Sequence, residues 1–106
     1  MTALYKVLGQ VNPVATTLTT LYTAPASAVV STLAICNQGA TTTYRVLVSV
    51  AGAALNAKQY IVYETGVNAN DSVFLTLGIT LAATDIVKVY AGTANVSFSL
   101  FGSEVS

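Results

Sequence analysis

Turn-forming residues break this sequence at short, regular intervals, and no stretch between them is long enough for an ordinary globular helix. The breaks are "GQVNP", "APAS", "NQGAT", "AGAALNA", "GVNAND", "AATD" and "GTAN". Between them lie segments rich in Val, Thr, Tyr, Ile and Leu, side chains that suit a pleated surface. They predict strands near Leu4–Leu8, Thr17–Thr23, Ala28–Cys36, Thr42–Ala51, Lys58–Glu64, Ser72–Leu77, Ile86–Ala91 and Asn95–Phe101. The fourth is the clearest: Tyr44, Val46, Val48 and Val50 take one face, and Arg45, Leu47 and Ser49 the other, a period of two. The last two strands read as a β-hairpin closed by Gly92-Thr93-Ala94, with Val87, Val89, Ala91, Val96, Phe98 and Leu100 facing inward. "AGAALNAK" predicts a brief helical turn, and "ITLAATD" a loop or single turn. Parallel α/β architecture would require crossover helices, and none is legible. The expected fold is all-β: a single domain over residues 1–106, an antiparallel β-sandwich, jelly-roll-like, with about eight short strands.

Charge is scarce on this framework. Only 8% of residues are charged, four cations against four anions, while 54% are hydrophobic; an ordinary globular chain is about 25% charged. The inward half of eight short strands cannot take all the larger apolar residues. Strands with few lysines also lack the usual protection against edge-to-edge pairing. Neighbouring subunits covering part of the strand exterior would reconcile these facts, so a homo-oligomer is expected. The alternative is a soluble monomer with an exterior of Thr, Ser, Asn and Ala, favoured by fifteen threonines and eight serines. Runs such as "AVVSTLAIC" fall well short of the ~20 residues of a helical bilayer span. The opening "MTALYKVLGQVNP" has neither the basic start nor the apolar segment of a signal peptide. No membrane partner and no Sec export are expected.

The search for chemistry is largely negative. With no histidine, a Ser-His-Asp or Cys-His arrangement cannot form within the chain, and with one cysteine the usual zinc ligand sets are excluded. Cys36 reads as a small buried hydrophobe; a reactive thiol would need an electropositive neighbour, and none is close in sequence. Of the carboxylates Glu64, Asp71, Asp85 and Glu104, Asp71 and Asp85 precede predicted strands, where aspartate holds turn backbone. An acid/base pair among the four is not expected. "NAND" at 68–71 lacks the glycine and distant glutamate of a calcium loop and reads as a tight turn. The sequons at Asn70 and Asn95 read as coincidence without export. Lys6, Arg45, Lys58 and Lys88 form no basic stripe, so no nucleic-acid partner is expected. The reading is non-enzymatic, with no catalytic, cofactor or metal site. Tyrosines leave one binding possibility. Tyr60 is expected to share a face with Val62 and Glu64, Tyr63 to face the other way, and Tyr90 to point outward. Exposed rings could stack on a sugar or anchor a protein partner; core or subunit packing is the alternative.

The segments "LYTAPASAVVSTLAICN", "LTLGITLAATD" and "ANVSFSLFGSE" give the chain, over nearly its whole length, a pattern that resembles small virion structural proteins of tailed bacteriophages, including cyanophages. The resemblance implies a capsid decoration (cement) protein or a tail, baseplate or fibre component, assembled in the host cytoplasm. It implies partners among its own copies, as a homotrimer, and in the major capsid protein or other virion proteins. Strand edges, or the N-terminal segment before Pro13, would lie along neighbours. A module that binds host glycan through Tyr60 or Tyr90 is the reading from a different class. The resemblance transfers no catalytic or metal-binding residue.

Overall fold

The computed structural model describes residues 3–76 and 78–105, which form a sandwich of two antiparallel sheets. The strands are β1 (Ala3–Val11), β2 (Thr19–Thr23), β3 (Ser27–Asn37), β4 (Thr42–Ser49), β5 (Tyr60–Val67), β6 (Ser72–Leu75), β7 (Ile79–Leu81), β8 (Ile86–Ala91) and β9 (Val96–Val105). Sheet I has the order β1-β9-β3-β6, with β7 also paired to β3; sheet II has the order β2-β8-β4-β5. β6 and β7 lie end to end along β3, opposite Leu33–Cys36 and Ala28–Val30 respectively. Counting them as one interrupted edge, the strand order is that of an eight-stranded jelly roll. β4 and β5 are the one pair of successive strands that bond directly to each other among the described residues.

Four expectations change here. The β8–β9 hairpin does not exist: β8 pairs with β2 and β4, whereas β9 pairs with β1 and β3. The Gly92–Asn95 turn carries the chain from one sheet to the other. The inward residues of both strands are nevertheless buried, because the two sheets enclose the same interior. "ITLAATD" is not all loop, since Ile79–Leu81 forms β7. The expected strand Ser72–Leu77 ends at Leu75, and its last residue, Leu77, lies outside the described residues. The turn predicted in "AGAALNAK" is two short 3₁₀ turns, Val50–Gly52 and Ala57–Gln59.

The core is aliphatic with an aromatic centre. Val30, Leu33, Ile35, Val96, Phe98 and Leu100 from sheet I meet Tyr44, Val46, Val87 and Val89 from sheet II. Tyr44 and Phe98 touch edge to face, with ring centres 6.3 Å apart, the offset that ring quadrupoles favour. Two glycines permit close approach. A Cβ on Gly9 would collide with the Leu21 carbonyl of β2, and one on Gly102 with the Val29 carbonyl of β3. Asn37, 1% exposed, organises the end of the sandwich. Its amide donates to the carbonyls of Ala40, Val67 and Asn68, and its Oδ1 accepts from Gly39 N–H.

The N-terminal segment before Pro13 is not a free arm. It is β1, in register with β9 from Ala3↔Val105 to Val11↔Phe98. Beyond it, Asn12 donates to the carbonyls of Ala94 and Val96, at 3.0 and 2.7 Å. What β1 leaves open is its outer edge, since it ends the strand order of sheet I.

Candidate functional site

The outward faces of the two sheets differ chemically. On sheet II, period two places Tyr90, Arg45 and Lys88 outward, and Arg45 is directly opposite Tyr90. The next strand breaks the period. Tyr44 pairs with Thr65, Val46 with Val62 and Leu47 with Tyr60, so β5 carries an extra residue on each side of Val62. Such bulges re-aim side chains. Glu64 sits in the second bulge with a left-handed φ of 52°, uncommon for a non-glycine residue. Tyr60 and Tyr63 therefore do not face opposite ways. They meet on the same outward surface, with ring centres 4.9 Å apart and planes at 86°.

Arg45 binds this cluster together. Its guanidinium lies 4.5 Å from the centre of the Tyr63 ring and 4.2 Å from that of Tyr90, the geometry of a cation held by π faces. Its Nε donates to Glu64 Oε2 at 2.9 Å. That hydrogen bond, opposed by partial burial and aided by the guanidinium's charge, holds the Glu64 carboxyl below its ordinary pKa.

One wall of the cluster is the segment between β4 and β5, which folds over the outside of sheet II. Ser49 Oγ donates to the Ala53 carbonyl at 2.6 Å, and Leu47 is buried although it lies outside the central core. Asn56 and Gln59 form a reciprocal capping box, and Gln59 Nε2 also donates to the Ala54 carbonyl. Asp85, at the start of β8, accepts from the N–H groups of Ala51 and Ala82, both at 2.9 Å. Those two bonds hold its pKa low against the opposing effect of desolvation. The wall and the Tyr60–Tyr63 pair enclose a groove of about 440 Å³, lined by Leu55, Asn56, Ala57, Tyr60 and Tyr63.

Sheet I presents a different exterior. Tyr5 and Phe74 are 82% and 70% exposed, and Val7 and Val29 are also exposed. Tyr5, Val7, Val29, Ser31 and Phe101 border a depression of about 630 Å³. The strands of this sheet contain two charged residues, Lys6 and Glu104, and these pair with each other at 3.1 Å. Glu104 also receives a hydrogen bond from Tyr22 of the other sheet.

The remaining sequence candidates are dispersed. Asp71 accepts from Ser72 N–H, and the "NAND" segment turns through Asn70 at a φ of 56°. None of the four carboxylates shares a hydrogen-bond partner with another among the described residues. No group of three or more His, Cys, Asp or Glu comes together among the described residues. Cys36 is half-buried rather than fully enclosed. Lys6 is on sheet I, Arg45 and Lys88 are on sheet II, and Lys58 is in the second 3₁₀ turn. Among the described residues no helix is long and apolar enough to cross a membrane.

No protein-family model matches the chain, and no curated protein or solved structure is significantly similar to it.

Proposed function

We propose that this chain is a non-enzymatic virion structural subunit of the tailed-phage type, a capsid decoration (cement) protein that associates with its own copies and with the shell. The observation that carries the reading is the outward face of sheet I. Tyr5, Val7, Val29 and Phe74 stand exposed there on a sheet whose one cation and one anion neutralise each other. Tyr5, Val7 and Val29 border one depression there, and an exposed apolar patch of this kind marks an interaction site. Covering it contributes roughly 25 cal/mol per Å², before the costs of association. On a particle many copies act together, so weak single contacts suffice. Closed cyclic assembly is the common arrangement of identical subunits, and a trimer is the form the resemblance implies.

The test is twofold. Size-exclusion chromatography with light scattering should give a closed oligomer, and dissociated virions should contain the protein at a copy number set by the shell lattice. A monodisperse single copy with no affinity for any particle component would refute the proposal. A tail, baseplate or fibre component is the second reading. The Tyr60–Tyr63 corner on the opposite sheet, where Tyr63 is exposed, favours it, because a ring surface suits contact with a host. Location at the tail tip alone would select it over the capsid.

A further inference from the structure

We infer that the groove beside Tyr60 and Tyr63 is a binding site for a neutral sugar. Three features identify the ligand chemistry. The two rings stand at 86° with centres 4.9 Å apart, and Tyr63 is 58% exposed. This corner of carbon surface can be covered by the flat C–H face of a pyranose, which matches the apolar body and polar edge of tyrosine itself.

The polar groups that line the groove are uncharged. The lining offers two tyrosine hydroxyls and the Asn56 amide N–H₂, the Asn56 Oδ1 being held by Lys58 N–H; these groups can hydrogen-bond sugar hydroxyls. The nearest guanidinium, that of Arg45, is already neutralised by Glu64 at 2.9 Å. Lys58, in the second 3₁₀ turn, is not among the lining residues, so the lining itself offers an anionic ligand no cation, and a wholly apolar ligand would leave its polar groups without partners.

The wall is also built in advance. The Asn56–Gln59 capping box, the Ser49–Ala53 bond and the Asp85 anchor on Ala51 N–H fix the segment opposite the rings. Arg45, in contact with the faces of both Tyr63 and Tyr90, limits rotation of Tyr63. A ligand entering the groove thus has little ordering left to impose, and preorganisation of this kind raises affinity. The volume, about 440 Å³, lies within the range of small-ligand sites. The groove is on the sheet opposite the apolar face, so the inference does not rest on the assembly reading.

The experiment is an NMR titration of the full chain with the methyl glycosides of glucose, galactose, mannose and N-acetylglucosamine. At least one should shift the backbone resonances of residues 54–63 and saturate with a Kd on the order of 1 mM. Tyr63→Ala and Tyr63→Leu, each checked for a folded spectrum, should weaken binding roughly tenfold or more, while Tyr63→Phe stays within about threefold and Tyr5→Ala changes nothing. The inference is overturned if none of the four glycosides moves these resonances, or if the shifts map to sheet I. It is equally overturned if folded Tyr63→Leu binds as tightly as the parent, or if the corner takes up a proline-rich peptide but no glycoside. The oligomeric state has no bearing on any of these outcomes.

Discussion

The hydroxyl of Tyr22, on β2, donates to the carboxylate of Glu104, on β9, and so bonds the two sheets across the end of the sandwich. Lys6 holds the other oxygen of the same carboxylate at 3.1 Å. The two titrations move in opposite directions. Hydrogen bonds from Tyr22 and then Lys6 hold the Glu104 carboxyl below its ordinary value, while burial, followed by the adjacent carboxylate, raises the Tyr22 phenol above its own.

These shifts give stability limits at both ends of the pH scale. A lowered carboxyl pKa contributes stability that is present above the unfolded value, roughly 4.3 for Glu, and is lost as pH falls through the folded one. Glu64 and Asp85 act in the same direction. A raised phenol pKa contributes stability that is intact below about 10 and declines as pH rises beyond it. Thermal melts across pH should show a plateau at neutrality and losses on both flanks. Tyr22→Phe should lower Tm at neutral pH, and the difference from the parent should shrink under strong acid. An unchanged difference at every pH would contradict the coupling.

Asn37→Leu should destabilise by about 2–4 kcal/mol, because it removes four hydrogen bonds and leaves buried carbonyls without donors. Denaturant midpoints at constant m measure this loss. Asn37→Asp should also be destabilising, since a carboxylate cannot donate to Ala40, Val67 and Asn68.

Thr84 has a φ of 74°, a left-handed conformation that a β-branched side chain adopts only under strain. It is exposed, and its N–H donates to the Ala24 carbonyl at 2.8 Å. Asparagine tolerates this region and keeps the donor. Thr84→Asn should therefore stabilise by about 1 kcal/mol, read as a higher denaturant midpoint.

Tyr5→Ser together with Phe74→Ser should separate folding from assembly. Both side chains are exposed, so monomer stability should change by no more than about 0.5 kcal/mol per site. The oligomer should nevertheless weaken. Light scattering at a series of concentrations reports the second effect and thermal melts the first.

The face assignments of β8 and β9 were legible in the sequence because an inward residue alternates with an outward one whichever sheet its strand joins. Their partnership was not. A short turn containing Gly92 serves a hairpin or a sheet-to-sheet crossing equally well, and here Gly92 N–H is bonded to the Thr43 carbonyl of sheet II. The tyrosine corner was hidden for another reason. Period two places Tyr60 and Tyr63 on opposite faces, and only the bulges around Val62 bring them together. Glycine would have signalled the left-handed residue, but the position is filled by Glu64. β7 was missed because three residues, Ile79–Leu81, are too few to show a period. The outward aromatic and apolar residues of sheet I were visible as a surplus beyond what the interior can hold, although composition could not place them on one face.

The order β1-β9-β3 in sheet I has a consequence for how the molecule comes into being. β9 lies between β1 and β3 yet follows both in the chain, so β1 has no partner, and β3 lacks one along the edge away from β6 and β7, until nearly all the intervening chain is made. Contacts this distant in sequence impose a large loop-closure entropy and slow the search for the native state. The nascent chain therefore carries open hydrogen-bonding edges until β9 is made, and it is most vulnerable to aggregation just before that strand emerges.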